Sequence, residues 1–450
     1  MTASAGPPAD PQREPGAPRG RGAHRRYSRA EVARRRRIVG AGVVLAVAVL
    51  VVVLLRLPGT STVSSRSSAQ AAPSGGSTAA RSSATGTAAR SAATGTAASA
   101  FGLPFPSPSG VGMKPGPNLA PGSNPAVLPG DVLIADEGNN RLLVVNPAGD
   151  IVWQFPAKGS LAPGQTFLAP DDAFFTPNGR QIIATEETDQ VLSLISLAGT
   201  PHILWRYGTP GTAGHTPGLL DNPDDAMVLP DGTVMTADIK NCNILFIAAG
   251  SHTPSQQIGT GTQYCYHQPP TRWASPNGAF PLADGNYLVT EIDGDWVDEL
   301  NIRTGQVLWS THPPGFTYPS DSNQVGPDTY LSVDYTNPGA VEEFTRTGKL
   351  LWRYGPTSGP GMLNQPSLCA PIPTNGDILC NDDHNDRVIV IDHKTNTIVW
   401  QYGHTGVEGT APGYLSEPDG TDLAPPYSML VTHAKTMTVP SASGVTGSAG

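Results

Sequence analysis

The sequence predicts an all-β fold, a six-bladed β-propeller, placed after a single transmembrane helix and a disordered linker. Three observations predict it. Gly and Pro number 51 and 45 among 450 residues, about a fifth of the chain against a usual ~12%, which favours many short strands over long helices. Tryptophans stand at 153, 205, 309, 352 and 400, a recurrence of about fifty residues with one slot skipped. An eighteen-residue apolar run at 38–55 separates a basic head from an acidic body.

The head comes first. Residues 1–37 are mostly Pro, Gly, Ala and Arg, too poor in apolar side chains to fold, and are expected to form a disordered cytoplasmic tail. Residues 1–56 hold eleven Arg and three acids, while the remainder holds 17 basic and 34 acidic residues. The whole chain carries a formal charge of −9. No nucleic-acid partner is expected, because such binding needs a basic face. The run at 38–55 has no charged side chain. At ~1.5 Å per residue it would span ~27 Å, close to the hydrocarbon thickness of a bilayer. Arg34, Arg35, Arg36 and Arg37 precede it and only Arg56 follows closely, which places the N-terminus in the cytoplasm. A cleaved signal peptide is the competing reading, but its apolar region would be shorter, with a small-residue cleavage site close behind. A signal anchor at 38–57 in the cell membrane is therefore expected, with the rest of the chain extracytoplasmic. Residues 58–123 are dominated by Ser, Thr, Ala, Gly and Pro and include the duplication RSSATGTAA (81–89) and RSAATGTAA (90–98). No aromatic lies between Tyr27 and Phe101, so this stretch reads as a disordered tether. Residues 438–450 read as a second loose end.

The body, 124–437, is a repeat. Aligned on the tryptophans, with Ile258 in the empty slot, it shows apolar runs that end in an acid: DVLIAD (131–136), QIIATE (181–186), TVMTAD (233–238), NYLVTE (286–291), TYLSVD (329–334) and DILCND (377–382). A polar turn and another run follow each, for example RLLVVN (141–146) and RVIVID (387–392), and the tryptophan-bearing run comes fourth. A first run is announced by Pro and closed by a Gly turn, as in PDDAFFTPNG (170–179) and PDDAMVLPDG (223–232). Four short strands joined by such turns make a twisted antiparallel blade, which buries both faces only when blades stack around an axis. A β-sandwich explains neither the recurrence nor the fixed place of Trp. Six units fit between 125 and 403. The opening run of the first unit, 124–130, is short, and the chain ends with EPDGTDL (417–423) and SMLVTH (428–433), which match a first and a second strand. The C-terminal strands are thus expected to complete the first blade. A seventh blade would need two strands from 101–123.

The unit P-D-D-A-M-V-L-P-D-G-T-V-M-T-A-D and the stretch DVLIADEGNNRLLVVNPAGDIVWQF resemble NHL repeats, and the Trp-bearing fourth strand is similar to that of bacterial PQQ-like propeller repeats. The resemblance covers roughly 124–433. It implies the fold and leaves function open, since such propellers include scaffolds, ligand binders, lyases and lactonases. It carries over no cofactor pocket.

All four cysteines lie beyond the apolar run, where disulfides persist. Cys369 and Cys380 fall opposite each other on the first two strands of blade six, and Cys242 and Cys265 flank the third and fourth strands of blade three, so two disulfides are expected. A four-cysteine metal site would need close C-x-x-C spacing, which is missing.

In a propeller, the turns from second to third strand and the connections between blades share one face. That face gathers Asp171, Asp172, Asp224, Asp225, Glu186, Asp238, Glu291, Asp334, Asp382 and His384, which are the candidate ligand-binding residues; Asp321 and Asp419 belong to the same loops. Clustered carboxylates suit a hard cation such as Ca2+, or a cationic ligand. An Asp at a strand end also commonly accepts N–H bonds of the following turn, which is the structural reading of the same pattern. His384, His433 and His215 are the loop histidines considered for metal or acid–base work. The pattern Y-G…P-G-x-L/M, shared by the connections 207–225, 354–365 and 402–419, points to shaped loops. No catalytic residue, resident cofactor or specific metal ligand is identified. Two functions fit. The first is a non-enzymatic module that binds a protein, glycan or small molecule through the acidic face. The second is a metal-dependent hydrolase or lyase at the channel mouth.

Overall fold

The computed structural model describes residues 101–262, 264–282 and 284–429. The tail, anchor and most of the linker, together with His433 and the C-terminal end, lie outside the described residues. Among the described residues no helix is long and apolar enough to cross a membrane.

Alternating apolar residues bounded by Gly turns form most of the strands the repeat predicts. The first unit supplies β1 (Val132–Asp136), β2 (Arg141–Val145) and β3 (Ile151–Phe155). The second forms β4 (Ala173–Phe175), β5 (Gln181–Glu186), β6 (Val191–Ser196) and β7 (His202–Gly208). In the third are β8 (Pro223–Val228), β9 (Val234–Asp238), β10 (Asn243–Ile247) and β11 (Gln256–Ile258). The fourth holds β12 (Pro276–Pro281), β13 (Tyr287–Glu291), β14 (Trp296–Asn301) and β15 (Gln306–Thr311). The fifth holds β16 (Pro319–Gly326), β17 (Thr329–Asp334), β18 (Ala340–Phe344) and β19 (Leu350–Tyr354). The sixth holds β20 (Cys369–Pro371), β21 (Ile378–Asp382), β22 (Arg387–Asp392) and β23 (Thr397–Gly403), and β24 (Pro418–Leu423) ends the series. These strands make six four-stranded antiparallel sheets. The C-terminal β24 pairs with β1, so the two ends of the propeller share the first blade.

Burial orders the strands from axis to rim. Every residue of β1, β9, β13 and β21 is buried, whereas β15 exposes alternate residues and β19 exposes Leu350, Leu351 and Arg353. The period of two explains how blades pack. On β1, Leu133 and Ala135 meet Ile182 and Ala184 of the second blade. Val132 and Ile134 meet Leu379 and Val388 of the sixth. Each such Leu, Ile or Val side chain contributes about 1.5–3 kcal/mol when buried, a gain no isolated blade can collect on both faces.

Two expectations are corrected. Residues 124–130 form no strand: Pro125–Val127 is a 3-10 turn capped by Asn124, and β24 takes the inner position instead. Ile258 does not occupy the tryptophan slot. It pairs with Ile244 as Phe155 pairs with Leu142, so Gln256 stands where the other blades have Trp. Trp273, wholly buried, arrives from the following connection and donates its Nε1–H to Ile258 O at 3.2 Å. Both disulfides are present, Cys242–Cys265 and Cys369–Cys380, and the second pair faces across the β20–β21 ladder.

Candidate functional site

The six innermost strands open with one frame, a Pro followed by two residues at the axis. The pairs are Asp171-Asp172, Asp224-Asp225, Asn277-Gly278, Ser320-Asp321, Ser367-Leu368 and Asp419-Gly420. The residue before the Pro adopts positive φ in five of the six: Ala169, Asn222, Ser275, Gln365 and Glu417. That turn swings each connection over the loop face and points the frame into the channel.

Five carboxylates converge there. One ligand oxygen each from Asp171, Asp172 and Asp224 lies within 4.8 Å of the others, and the same holds for Asp172, Asp225 and Asp321. Glu137, Asp171 and Asp419 form a third such group nearer the mouth, where Asp419 is partly exposed. Gly278 and Gly420 leave the room: a Cβ on Gly278 would stand 2.2 Å from Asp225 Oδ2 and 2.6 Å from Asp321 Oδ1, and one on Gly420 would stand 2.6 Å from Asp172 Oδ1.

The electrostatics are one-sided. Burial pushes Asp171, Asp172, Asp224 and Asp225 well above the usual carboxylate range, and their mutual repulsion pushes them further. Asp321 is pushed up to about 7, chiefly by burial. The charged neighbours acting on these five are carboxylates. Asp225 is wholly buried and neither of its carboxylate oxygens meets an N–H or hydroxyl donor, nor do Asp172 Oδ1 and Asp321 Oδ1; the partners at hand are carboxyls, Asp321 for Asp225 and Asp224 for Asp172. Buried carboxylates in this state hold shared protons or a cation.

The acids at the ends of the second strands are built differently. Asp136, Glu186, Asp238, Glu291, Asp334 and Asp382 accept backbone N–H bonds from Ser416, Leu168, Asp221, Ala274, Tyr318 and Asn364, tying each blade to the connection that enters it. Cationic or amide groups complete several of these clamps: Arg141 on Asp136, Arg206 on Glu186, Asn241 on Asp238 and Arg387 on Asp382. The structure thus brings Asp171, Asp172, Asp224 and Asp225 together and sets Glu186, Asp238, Glu291, Asp334 and Asp382 apart as clamps. His384 lies on the loop face, partly exposed, with Nδ1 3.7 Å from Glu417 Oε1; His215 is exposed. The shaped connections are stapled by tyrosines. Gly218 N–H donates to the Tyr207 hydroxyl, Gly413 N–H donates to that of Tyr402, and the Tyr354 hydroxyl donates to Gly361 O. Sequence reading underweighted Asp321, because P-S-D-S lacks the P-D-D-A signature. Its available signal was the Pro at 319, in register with the other five.

A closed ring of six four-stranded blades, latched by its last strand around an acidic channel, is a six-bladed β-propeller. Residues 293–419 match the PQQ_2 family, described as outer membrane protein assembly factor BamB, so over that stretch the chain is similar to PQQ-like propeller repeats. No curated protein matches at a significant level. Similar solved structures include a protein of unknown function from Bacteroides caccae, at 18% identity over 65% of this chain and 97% of that one, TM-score 0.45. A streptogramin B lyase aligns at 14% identity over 56% of this chain and 72% of its own, TM-score 0.40. Hydrazine synthase of Kuenenia stuttgartiensis aligns at 12% over 58% and 73%, TM-score 0.42. Likenesses this distant carry no inference about what the chain does.

Proposed function

We propose that the propeller is a membrane-tethered, extracytoplasmic binding module, and that its aspartate-lined channel seats a Ca2+-class cation around which the loop face receives a protein or glycan ligand. The observation that carries this reading is the set of buried carboxylates, Asp171, Asp172, Asp224, Asp225 and Asp321, whose charged neighbours are carboxylates. Hard oxygen donors in this number suit Ca2+, which takes about six to eight oxygens. The partly exposed Asp419 at the mouth supports a site reachable from solvent. The tether rests on the apolar run at 38–55 and its arginine flank, and the two disulfides suit an oxidising compartment.

Thermal melting of the purified full chain in detergent, with chelator or with millimolar Ca2+ at pH 8, tests the cation. Ca2+ is expected to raise the melting temperature, and Asp225→Asn with Asp321→Asn is expected to remove that response while the chain still folds. Equal melting with chelator and with Ca2+ at that pH overturns the reading.

A further inference from the structure

Blade four departs from its siblings at one three-residue position. Cross-strand registers make Glu186, Ser193 and Arg206 of blade two equivalent to Glu291, Asp298 and Ser310 of blade four, and to Asp334, Glu342 and Arg353 of blade five. In blades two and five an arginine meets the acids: Arg206 pairs with Glu186 at 2.9 Å and Arg353 pairs with Glu342. Blade four keeps two carboxylates, Glu291 and Asp298, both with wholly buried side chains, and offers a serine where the cation should be.

Something else has been brought in. His267 reaches over from the connection between blades three and four, its Nδ1 2.8 Å from Glu291 Oε1 and 4.0 Å from Asp298 Oδ2. Each carboxylate has one oxygen tied down and the other turned to the histidine. Glu291 Oε2 accepts the Ala274 N–H and Asp298 Oδ1 accepts the Ser310 hydroxyl. Asp298 Oδ2 is buried and meets no N–H or hydroxyl donor, and the Glu291 carboxyl lies against it. The imidazole is held flat on Trp296, with ring centroids 4.1 Å apart and planes 11° apart, and the Cys242–Cys265 disulfide anchors its loop two residues upstream.

We propose that His267 Nδ1, Glu291 Oε1 and Asp298 Oδ2 bind a borderline divalent cation of the Zn2+ class, at a site separate from the channel. The donor set, one imidazole and two carboxylates, is one that zinc accepts, with bonds of about 2.0–2.2 Å to each. A tetrahedron with such bonds has edges of about 3.3 Å, between the 2.8 Å and 4.0 Å separations seen here. The Ser310 and Ala274 bonds are the outer-shell contacts that fix ligand orientation. The partial exposure of His267 leaves an entry path and room for a fourth, solvent-derived ligand. The metal supplies in blade four the positive charge that arginine supplies in blades two and five.

The test strips the full chain with chelator, then equilibrates it with Zn2+ in the presence of excess Ca2+. Retained zinc is counted, and the visible spectrum is recorded after Co2+ substitution. About one zinc per chain is expected, with the absorption of a tetrahedral Co2+ centre. His267→Ala should weaken binding by about tenfold or more. Ser310→Arg should abolish it, because the guanidinium takes the place of the ion, while the metal-free variant melts no lower than the metal-free parent. Asp225→Asn should retain the zinc. Failure of the parent to hold zinc against Ca2+, or full retention by His267→Ala, overturns the proposal. Loss in Asp225→Asn with retention in His267→Ala moves the zinc to the channel and overturns it equally. If Ser310→Arg fails to fold, His267→Ala decides alone.

Discussion

Gly278 shows how much the channel depends on an absent side chain. Its φ is not in the left-handed region, so only space restricts it, and that space is filled by Asp225 Oδ2 and Asp321 Oδ1. Both neighbours are fully buried and cannot swing into solvent. Gly278→Ala is therefore expected to cost about 1–3 kcal/mol by overpacking and to blunt the Ca2+ response; a variant that melts and responds as the parent does would show that the cleft is not used. At this scale the sequence displayed the paired aspartates openly, as P-D-D-A twice. It concealed Asp298, which in W-V-D-E-L-N reads as one more solvent-facing acid of a third strand. His267 was hidden too, since its partners are 24 and 31 residues away. The one readable signal was comparative: blade four lacks the arginine that blades two and five carry on their fourth strands.

Strands and turns were more legible, because each repeats six times and the errors of one copy are corrected by the others. The second and third strands fall where their apolar runs predict. The fourth strand of blade three was misread because Ile258 lies two residues beyond the slot that Gln256 fills, and alternation makes such a shift look harmless. The disulfides belong to the same scale and separate two roles. Cys369–Cys380 joins neighbouring strands across 11 residues, while Cys242–Cys265 ties a 23-residue stretch that ends beside His267. Loop-closure entropy gives about 3 kcal/mol for each. Replacing either pair by alanine should thus lower the melting temperature by comparable amounts. Only the Cys242→Ala, Cys265→Ala chain should also lose zinc, because only that bridge fixes the histidine. Equal zinc retention in both double variants would detach the loop from the metal site.

For the molecule as a whole, ring closure was written at the C-terminus, where E-P-D-G-T-D-L repeats the opening of an inner strand without its fourth-strand tryptophan. What composition could not show is how closing the ring concentrates charge. Four of the six inner strands, unremarkable singly, place their acids at one axis, and no arginine is among the groups acting on them. The consequence is a pH dependence of definite sign. Burial and mutual repulsion raise these carboxyls in the folded chain: Asp321 to about 7, with Asp171, Asp172, Asp224 and Asp225 well above the usual range. Glu186, Asp238 and Asp422 are likewise pushed up to about 7 by burial. Between pH about 4, where the unfolded chain releases these protons, and the raised folded values, the native state holds more protons than the unfolded state. Stability must then fall as pH rises through that window. Metal-free protein should accordingly melt higher at pH 5 than at pH 8. Ca2+ should narrow the gap, because the ion does at pH 8 what protons do at pH 5, and Asp321→Asn, which needs no proton to stay neutral, should flatten it without metal. A melting temperature that climbs from pH 5 to pH 8 in the presence of chelator would mean the channel carboxylates are ionised and compensated from within the protein, and the case for a cation at the axis would fall.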